Sequence, residues 1–143
     1  MNQLQQLSHS VRLEWGPAAI RHLGPEADCI VIVDVMSFST CVNLAVERGG
    51  IVYPYPRRDE SAQRYGEERG ADVASGKRLA HGWSLSPQSM LRVTAGLKLV
   101  LPSPNGSRCT LLSRDLGKPV YCASLRNLDA TAALFGRLAA SGK

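Results

Sequence analysis

The chain has 143 residues, 44% of them hydrophobic, and a formal net charge of +5. This size and composition predict one folded domain, residues 1–143, and exclude a chain that is disordered throughout or spans a membrane. Aromatic residues are few and basic residues are scattered, which argues against a nucleic-acid partner and favours a small anionic one.

The predicted strands begin close to the N-terminus. Residues 11–15 alternate polar and apolar side chains, which predicts a half-buried strand. Residues 29–33 form an almost continuous apolar, β-branched run, typical of a strand buried on both faces. Further strands are predicted at residues 51–55, 72–76, 97–101 and 119–123, and the one at 72–76 runs into a loop. Pro54 and Pro56 predict that the strand at 51–55 leaves the sheet soon after Tyr53.

Helices are predicted between these strands. Pro17 and Pro87 each suit the first position of a helix, and Asp59 suits an N-cap. The longer helices are predicted at residues 38–48, 60–69, 108–116 and 129–140. This alternation indicates an α/β fold, with a mainly parallel β-sheet and helices on both faces in three α/β/α layers. The N-terminus lacks the features of a signal peptide, so we expect a cytoplasmic protein.

Three predicted strands end in polar loops, at residues 34–40, 103–107 and 124–127. In an open parallel sheet, ligands bind beyond the carboxyl ends of the strands. We therefore expect the three loops to form one pocket that is rich in hydroxyls, amides and backbone N–H groups and contains one arginine. Such groups are typical of an oxyanion site.

Asp34 is the strongest candidate for chemistry, because it ends the most apolar predicted strand. Its carboxylate could serve as a Mg²⁺ ligand or as an acid/base group. The alternative is that it caps the following helix or turn. Ser37, Ser39 and Thr40 are predicted either to donate hydrogen bonds to a phosphate or to cap that helix.

The other two loops supply further candidates. Asn105, Gly106 and Ser107 predict a tight turn, in which Gly106 permits a positive φ and close approach of a ligand. The alternative is a plain loop followed by an N-cap. Arg126 and Asn127 suit a clamp on an acid group of the substrate, and the alternative is an arginine on the surface.

Histidine and cysteine supply weaker candidates. His81 lies in a long predicted loop, where a histidine is more often solvated or structural than catalytic. The four cysteines form no CxxC pair, so we expect buried thiols rather than metal ligands or nucleophiles.

Several short motifs occur in a defined order. They are VDVMSFST at residues 33–40, a glycine pair at 49–50, GKR at 76–78, LSP at 85–87, SPNGS at 103–107 and SLRN at 124–127. The ordered set resembles the 2-phosphosulfolactate phosphatases, the ComB family, over nearly the whole chain. Many family members carry arginine where this chain has Ser37. They are also longer, so the resemblance implies either the N-terminal portion of a longer phosphatase or a diverged short form of the family.

The resemblance implies a Mg²⁺-dependent phosphoric monoester hydrolase. Its substrate would be a small phosphorylated organic acid such as 2-phospho-3-sulfolactate, an intermediate towards coenzyme M. Asp34 would be catalytic and hold Mg²⁺. The substrate and its phosphate would contact Ser37, Ser39, Thr40, Asn105, Gly106, Ser107, Arg126 and Asn127.

A non-catalytic anion-binding or interaction module, derived from such a phosphatase, is the alternative function. If the chain is half of a domain, an exposed sheet edge predicts pairing with another chain and hence a homo-oligomer.

Overall fold

The computed structural model describes residues 6–77 and 81–141. Within them, the strands are β1 (Ile30–Val33), β2 (Ile51–Tyr55), β3 (Asp72–Val73), β4 (Lys98–Pro102) and β5 (Val120–Ala123). The α-helices are α1 (Gly16–Leu23), α2 (Phe38–Glu47), α3 (Glu60–Glu67), α4 (Pro87–Met90), α5 (Gly106–Asp115) and α6 (Leu128–Ala140). Short 3₁₀ turns lie at Gly24–Glu26 and Leu125–Asn127.

Every pairing between the described strands is parallel, which confirms the predicted α/β class. The strands form two ladders rather than one sheet. β1 pairs with β5, and β4 lies between β2 and β3. Near the end of β1, the Ile32 carbonyl accepts a hydrogen bond from Ser39 Oγ at 2.8 Å. The first turn of α2 is therefore bonded directly to the end of β1.

The strand predicted at residues 11–15 is wrong, because this segment pairs with no strand in the described part of the chain. The side chain of Gln6 takes the place of a neighbouring strand. Its Oε1 accepts from the Leu13 amide at 3.0 Å, and its Nε2 donates to the Leu13 carbonyl at 2.8 Å. Leu13 and Trp15 consequently stay exposed. The helix predicted at Pro17 is confirmed as α1.

β2 spans Ile51–Tyr55, the residues predicted for this strand, and ends two residues after Tyr53. Pro54 lies opposite Leu101, and the ladder extends to Tyr55. Since β2 is an edge strand of its ladder, the missing N–H of Pro54 can face away from the partner strand without breaking the pairing. The N-cap of α3 is confirmed, because the Ser61 amide donates to Asp59 Oδ1 at 3.0 Å.

The hydrophobic core lies where α2 packs against the strands. Its most deeply buried members in α2 and β4 are Phe38, Cys41, Ala45, Leu99 and Leu101. Ile30 and Ile32 of β1 belong to the same buried cluster. The core therefore lies directly beneath the carboxyl ends of β1 and β4.

α6 is the least embedded helix. It contains no buried residue, and Phe135 meets Tyr121 of β5 edge-on, with 5.9 Å between the ring centroids. Pairing with another chain stays a prediction. No helix in residues 6–77 and 81–141 combines the length and apolar character that crossing a membrane requires.

The first residues of α2 and α5 pack directly against each other. A Cβ atom built on Gly106 would overlap the ring of Phe38, so a side chain does not fit there. Gly106 has no positive φ, so that part of its predicted role is wrong. Glycine is needed for the close approach of Phe38 to the backbone.

We predict that Gly106→Ala lowers the free energy of unfolding by about 1–3 kcal/mol, because Phe38 must move away from the added methyl group. Gly136→Ala is the matched control, since nothing lies within 4 Å of a Cβ built on this helical glycine. That substitution should be neutral or stabilise α6 by up to about 1 kcal/mol. Urea unfolding measures the free energy of unfolding of both variants. Equal values for the two would contradict the close contact between Phe38 and Gly106.

Candidate active site

A cavity of about 490 Å³ opens at the carboxyl ends of β1 and β4. Its walls come from the β1–α2 loop, the β4–α5 loop, the segment before α3 and the chain that enters α1. Its polar lining residues are Asp34, Ser37, Arg58, Ser103, Asn105 and Cys109. Its larger apolar lining residues are Trp15, Ile32, Val33, Val35, Met36, Phe38 and Leu85. We call it the β1/β4 cavity.

Asp34 directly follows β1, and the start of α2 fixes its backbone. Its amide donates to Ser39 Oγ at 3.0 Å, and its carbonyl accepts from the Ser39 amide at 2.9 Å. The half-buried carboxylate forms no hydrogen bond or ion pair with the residues that the structure describes, and it does not cap α2. Its oxygens are therefore available to a ligand in the cavity.

The hydroxyls of the β1–α2 loop and the first turn of α2 donate to backbone carbonyls. Ser37 Oγ donates to Leu85 O at 2.7 Å, and Thr40 Oγ1 donates to Val35 O at 2.8 Å. Of the three predicted phosphate donors in this segment, only Ser37 lines the cavity, while Ser39 and Thr40 do not. Ser37 holds the loop before α4 against the start of α2.

Ser39 and Ser107 occupy equivalent positions in the fold. Each is the second residue of its helix, α2 or α5, and each is fully buried. Ser39 Oγ donates to Ile32 O of β1, and Ser107 Oγ donates to Leu101 O of β4 at 2.6 Å. Both hydroxyls therefore join a helix to the strand before it instead of facing a ligand.

The β4–α5 loop contributes Asn105 and Gly106 to the cavity, as predicted, whereas Ser107 lies below it. The Gly106 amide donates to Ser103 Oγ at 3.0 Å. The side chain of Asn105 is exposed and does not cap α5. Its amide group is thus a further polar group at the cavity wall.

Arg126 and Asn127 lie outside the β1/β4 cavity. Arg126 Nη2 pairs with Glu47 Oε2 at the end of α2, at a distance of 2.7 Å. Asn127 Oδ1 accepts from the Ser124 amide at 2.7 Å, and its Nδ2 donates to Cys122 O at 2.9 Å. The third predicted loop therefore closes a turn after β5 and does not join the other two loops.

Arg58 is the cation that the sequence analysis did not assign to the site. It follows β2, whose carboxyl end lies beside that of β4 in the parallel ladder. Its Nε donates to Pro102 O at 3.1 Å, and its side chain passes over Gly76, where a Cβ would lie 3.1 Å from Arg58 Cδ. The sequence contains a signal for this position, because Arg57 and Arg58 closely follow the strand predicted at residues 51–55, and neighbouring parallel strands end at the same edge.

The cavity offers oxygen ligands rather than a ready-made metal cluster. No group of three or more histidine, cysteine, aspartate or glutamate residues is arranged to hold a metal within the described residues. His81 is exposed and does not line the cavity. Asp34 is the one carboxylate among the described lining residues, and Mg²⁺ commonly uses one or two carboxylates together with water and substrate oxygens.

The cysteines around Asp34 are held as neutral thiols. Burial raises the pKa of Cys41 to about 11, opposed by a hydrogen bond with Ser37 and reinforced by the charge of Asp34. Burial likewise raises the pKa of Cys122 to about 11. The pKa of Cys109, which lines the cavity, is raised mainly by burial as well. A thiolate nucleophile is therefore disfavoured at neutral pH.

We predict that Cys41 and Cys122 react with iodoacetamide at pH 7.5 far more slowly in the folded protein than in urea. Folded-state burial and the pKa of about 11 both limit the thiolate. Raising the pH towards 10 should accelerate labelling, because more thiolate forms. Mass spectrometry of labelled peptides measures the rates. Labelling of folded Cys41 at the rate of an unfolded thiol would contradict its description as a buried, neutral thiol.

Comparisons of the chain with protein-family models, with curated proteins and with solved structures find no match. The resemblance to the 2-phosphosulfolactate phosphatases therefore depends on the motifs of this chain alone. Two of those motifs, at residues 33–40 and 103–107, meet at the β1/β4 cavity.

Proposed function

We propose that this chain is a Mg²⁺-dependent phosphatase that hydrolyses a phosphate monoester in the β1/β4 cavity. One observation carries the proposal. Asp34 and Arg58 line the same cavity but form no ion pair with each other in the described structure. Opposite charges that share a cavity without pairing are available to a cation and an anion that bind together, as a metal ion and a phosphate do.

The donor set fits a weakly chelated Mg²⁺. The Asp34 carboxylate would hold the ion, and the Asn105 amide oxygen is a further hard ligand in the lining. A phosphate dianion next to Asp34 alone would be repelled, so a cation between the two is electrostatically required. When bound, Mg²⁺ would neutralise charge that develops on the transferred phosphoryl group.

The residues of the chain supply binding and orientation. Arg58 Nε donates a hydrogen bond to Pro102 O, which holds the side chain in place. The terminal N–H groups of Arg58 can then form charge-assisted hydrogen bonds with the phosphate. Ser37 and Leu85 keep the loop before α4 closed against the cavity wall. A fixed guanidinium of this kind stabilises the transferring group without reorganising during the reaction.

The motif resemblance adds the reaction class and a first substrate to test, 2-phospho-3-sulfolactate. We also propose a cytoplasmic location, which the four unpaired cysteines support.

The non-catalytic anion-binding module remains the second candidate, and one observation favours it. Among the described lining residues Asp34 is the sole carboxylate, and no histidine stands beside it as a separate base. Anion binding needs only the Arg58 guanidinium and a polar group of the cavity wall such as the Asn105 amide. This alternative predicts thermal stabilisation by phosphate or sulfate without turnover at any Mg²⁺ concentration.

We predict that the protein releases phosphate from 2-phospho-3-sulfolactate or another phosphomonoester only when Mg²⁺ is present. Asp34→Asn should lower kcat/KM by at least about a hundredfold, because the ligand carboxylate is lost. Asp28→Asn, an exposed residue outside the cavity, is the matched control and should retain activity. Equal rates in the Asp34→Asn and wild-type proteins would remove Asp34 from the proposal.

We predict that Arg58→Gln raises the KM for a phosphomonoester, or the Kd for inorganic phosphate, by roughly tenfold, because a charge-assisted hydrogen bond is lost. The neighbouring Arg57→Gln is the control. Arg57 lies outside the cavity and pairs with Asp59 at 3.5 Å. Steady-state kinetics and calorimetry measure the two constants. The same change in both variants would show that the effect comes from net charge and not from a contact.

A further inference from the structure

The charge of the β1/β4 cavity limits how acidic its ligand can be. Arg58 is the one cationic side chain among the described lining residues, and Asp34 is the one anionic side chain. With a divalent cation bound at Asp34, these groups carry a net charge of about +2, which one phosphate dianion balances. A carboxylate and a sulfonate on the same ligand would add two negative charges without a described partner.

The arginine predicted to hold such an additional acid group is committed elsewhere. Arg126 pairs with Glu47 at 2.7 Å, outside the cavity. Ser39 and Ser107, two further predicted anion donors, are fully buried and donate to strand carbonyls. The described part of the cavity therefore has donors for the phosphate group but no second cationic site.

Apolar side chains surround the charged groups. Trp15, Met36 and Val33 line the same cavity and are 83%, 95% and 62% exposed, respectively. Single exposed apolar residues are ordinary on a protein surface, but three that line one cavity together with Asp34 and Arg58 form a patch that a ligand can cover. An indole ring is particularly suited to contact with a flat apolar group.

We infer that the ligand of the β1/β4 cavity is a phosphate monoester with an apolar organic part, either an aromatic ring or a branched alkyl group. The phosphate binds at Arg58 and the cation site, and the apolar part lies against Trp15 and Met36. The identity of the anion rests on the proposed function, whereas the apolar contact rests on the exposed residues themselves.

Phosphonates that cannot be hydrolysed test this contact by binding alone. Isothermal titration calorimetry with Mg²⁺ present compares phenylphosphonate with methylphosphonate, which share the anionic group and differ in the apolar part. We expect phenylphosphonate to bind roughly three- to tenfold more tightly in the wild-type protein. Trp15→Ala should abolish this preference, because the phenyl ring loses its contact with the indole.

Leu13→Ala is the matched control, because Leu13 is an exposed apolar residue of the same segment but does not line the cavity. It should keep the full preference. The inference is overturned if the two phosphonates bind equally, if neither binds, if the preference survives in Trp15→Ala, or if 2-phospho-3-sulfolactate binds more tightly than phenylphosphonate. Absence of turnover, by contrast, would contradict only the proposed catalysis, since the phosphonate affinities require no reaction.

Discussion

Two buried serine hydroxyls determine how the strands and helices of this protein meet. Ser39 joins α2 to β1 and Ser107 joins α5 to β4, each by donating to a strand carbonyl from the second position of the helix. Each bond ties the first turn of a helix to the end of the strand that precedes it. Because both junctions have the same geometry, the two helix starts come together, and Phe38 packs on the backbone of Gly106.

This arrangement decides which groups can face a ligand. Ser39 and Ser107 build the junctions and do not line the cavity, whereas the charged and amide side chains of Asp34, Arg58 and Asn105 do. The carboxylate comes from the end of β1, the amide from the end of β4 and the guanidinium from the end of β2. The carboxyl ends of three strands, from two ladders, therefore converge on one cavity, and the proposed phosphatase chemistry depends on that convergence.

Local sequence patterns predicted much of this architecture. The apolar run before Asp34 and the capping residue Asp59 were sufficient to place β1 and the start of α3, because neighbouring residues determine such features. The segment at residues 11–15 has an equally regular pattern, yet a single glutamine side chain satisfies Leu13 and no strand forms. Pairing depends on distant partners, which alternation does not specify.

The candidate site was predicted in part for similar reasons. Asp34, Ser37, Asn105 and Gly106 line the cavity as expected. A hydroxyl at a helix start can face either a ligand or a strand carbonyl, and the sequence does not distinguish the two. The position of Arg58 follows from the length of β2 and its register with β4. Arg126 pairs instead with Glu47, which lies 79 positions away in the sequence. These are long-range relations that only a folded chain establishes.

A crystal structure of the protein grown with Mg²⁺ and orthophosphate would locate both ions. We expect a phosphate in the β1/β4 cavity, within hydrogen-bond distance of the Arg58 guanidinium, with a metal ion between it and the Asp34 carboxylate. A phosphate bound instead at the turn of Arg126 and Asn127, with the cavity holding neither ion, would contradict the proposed site.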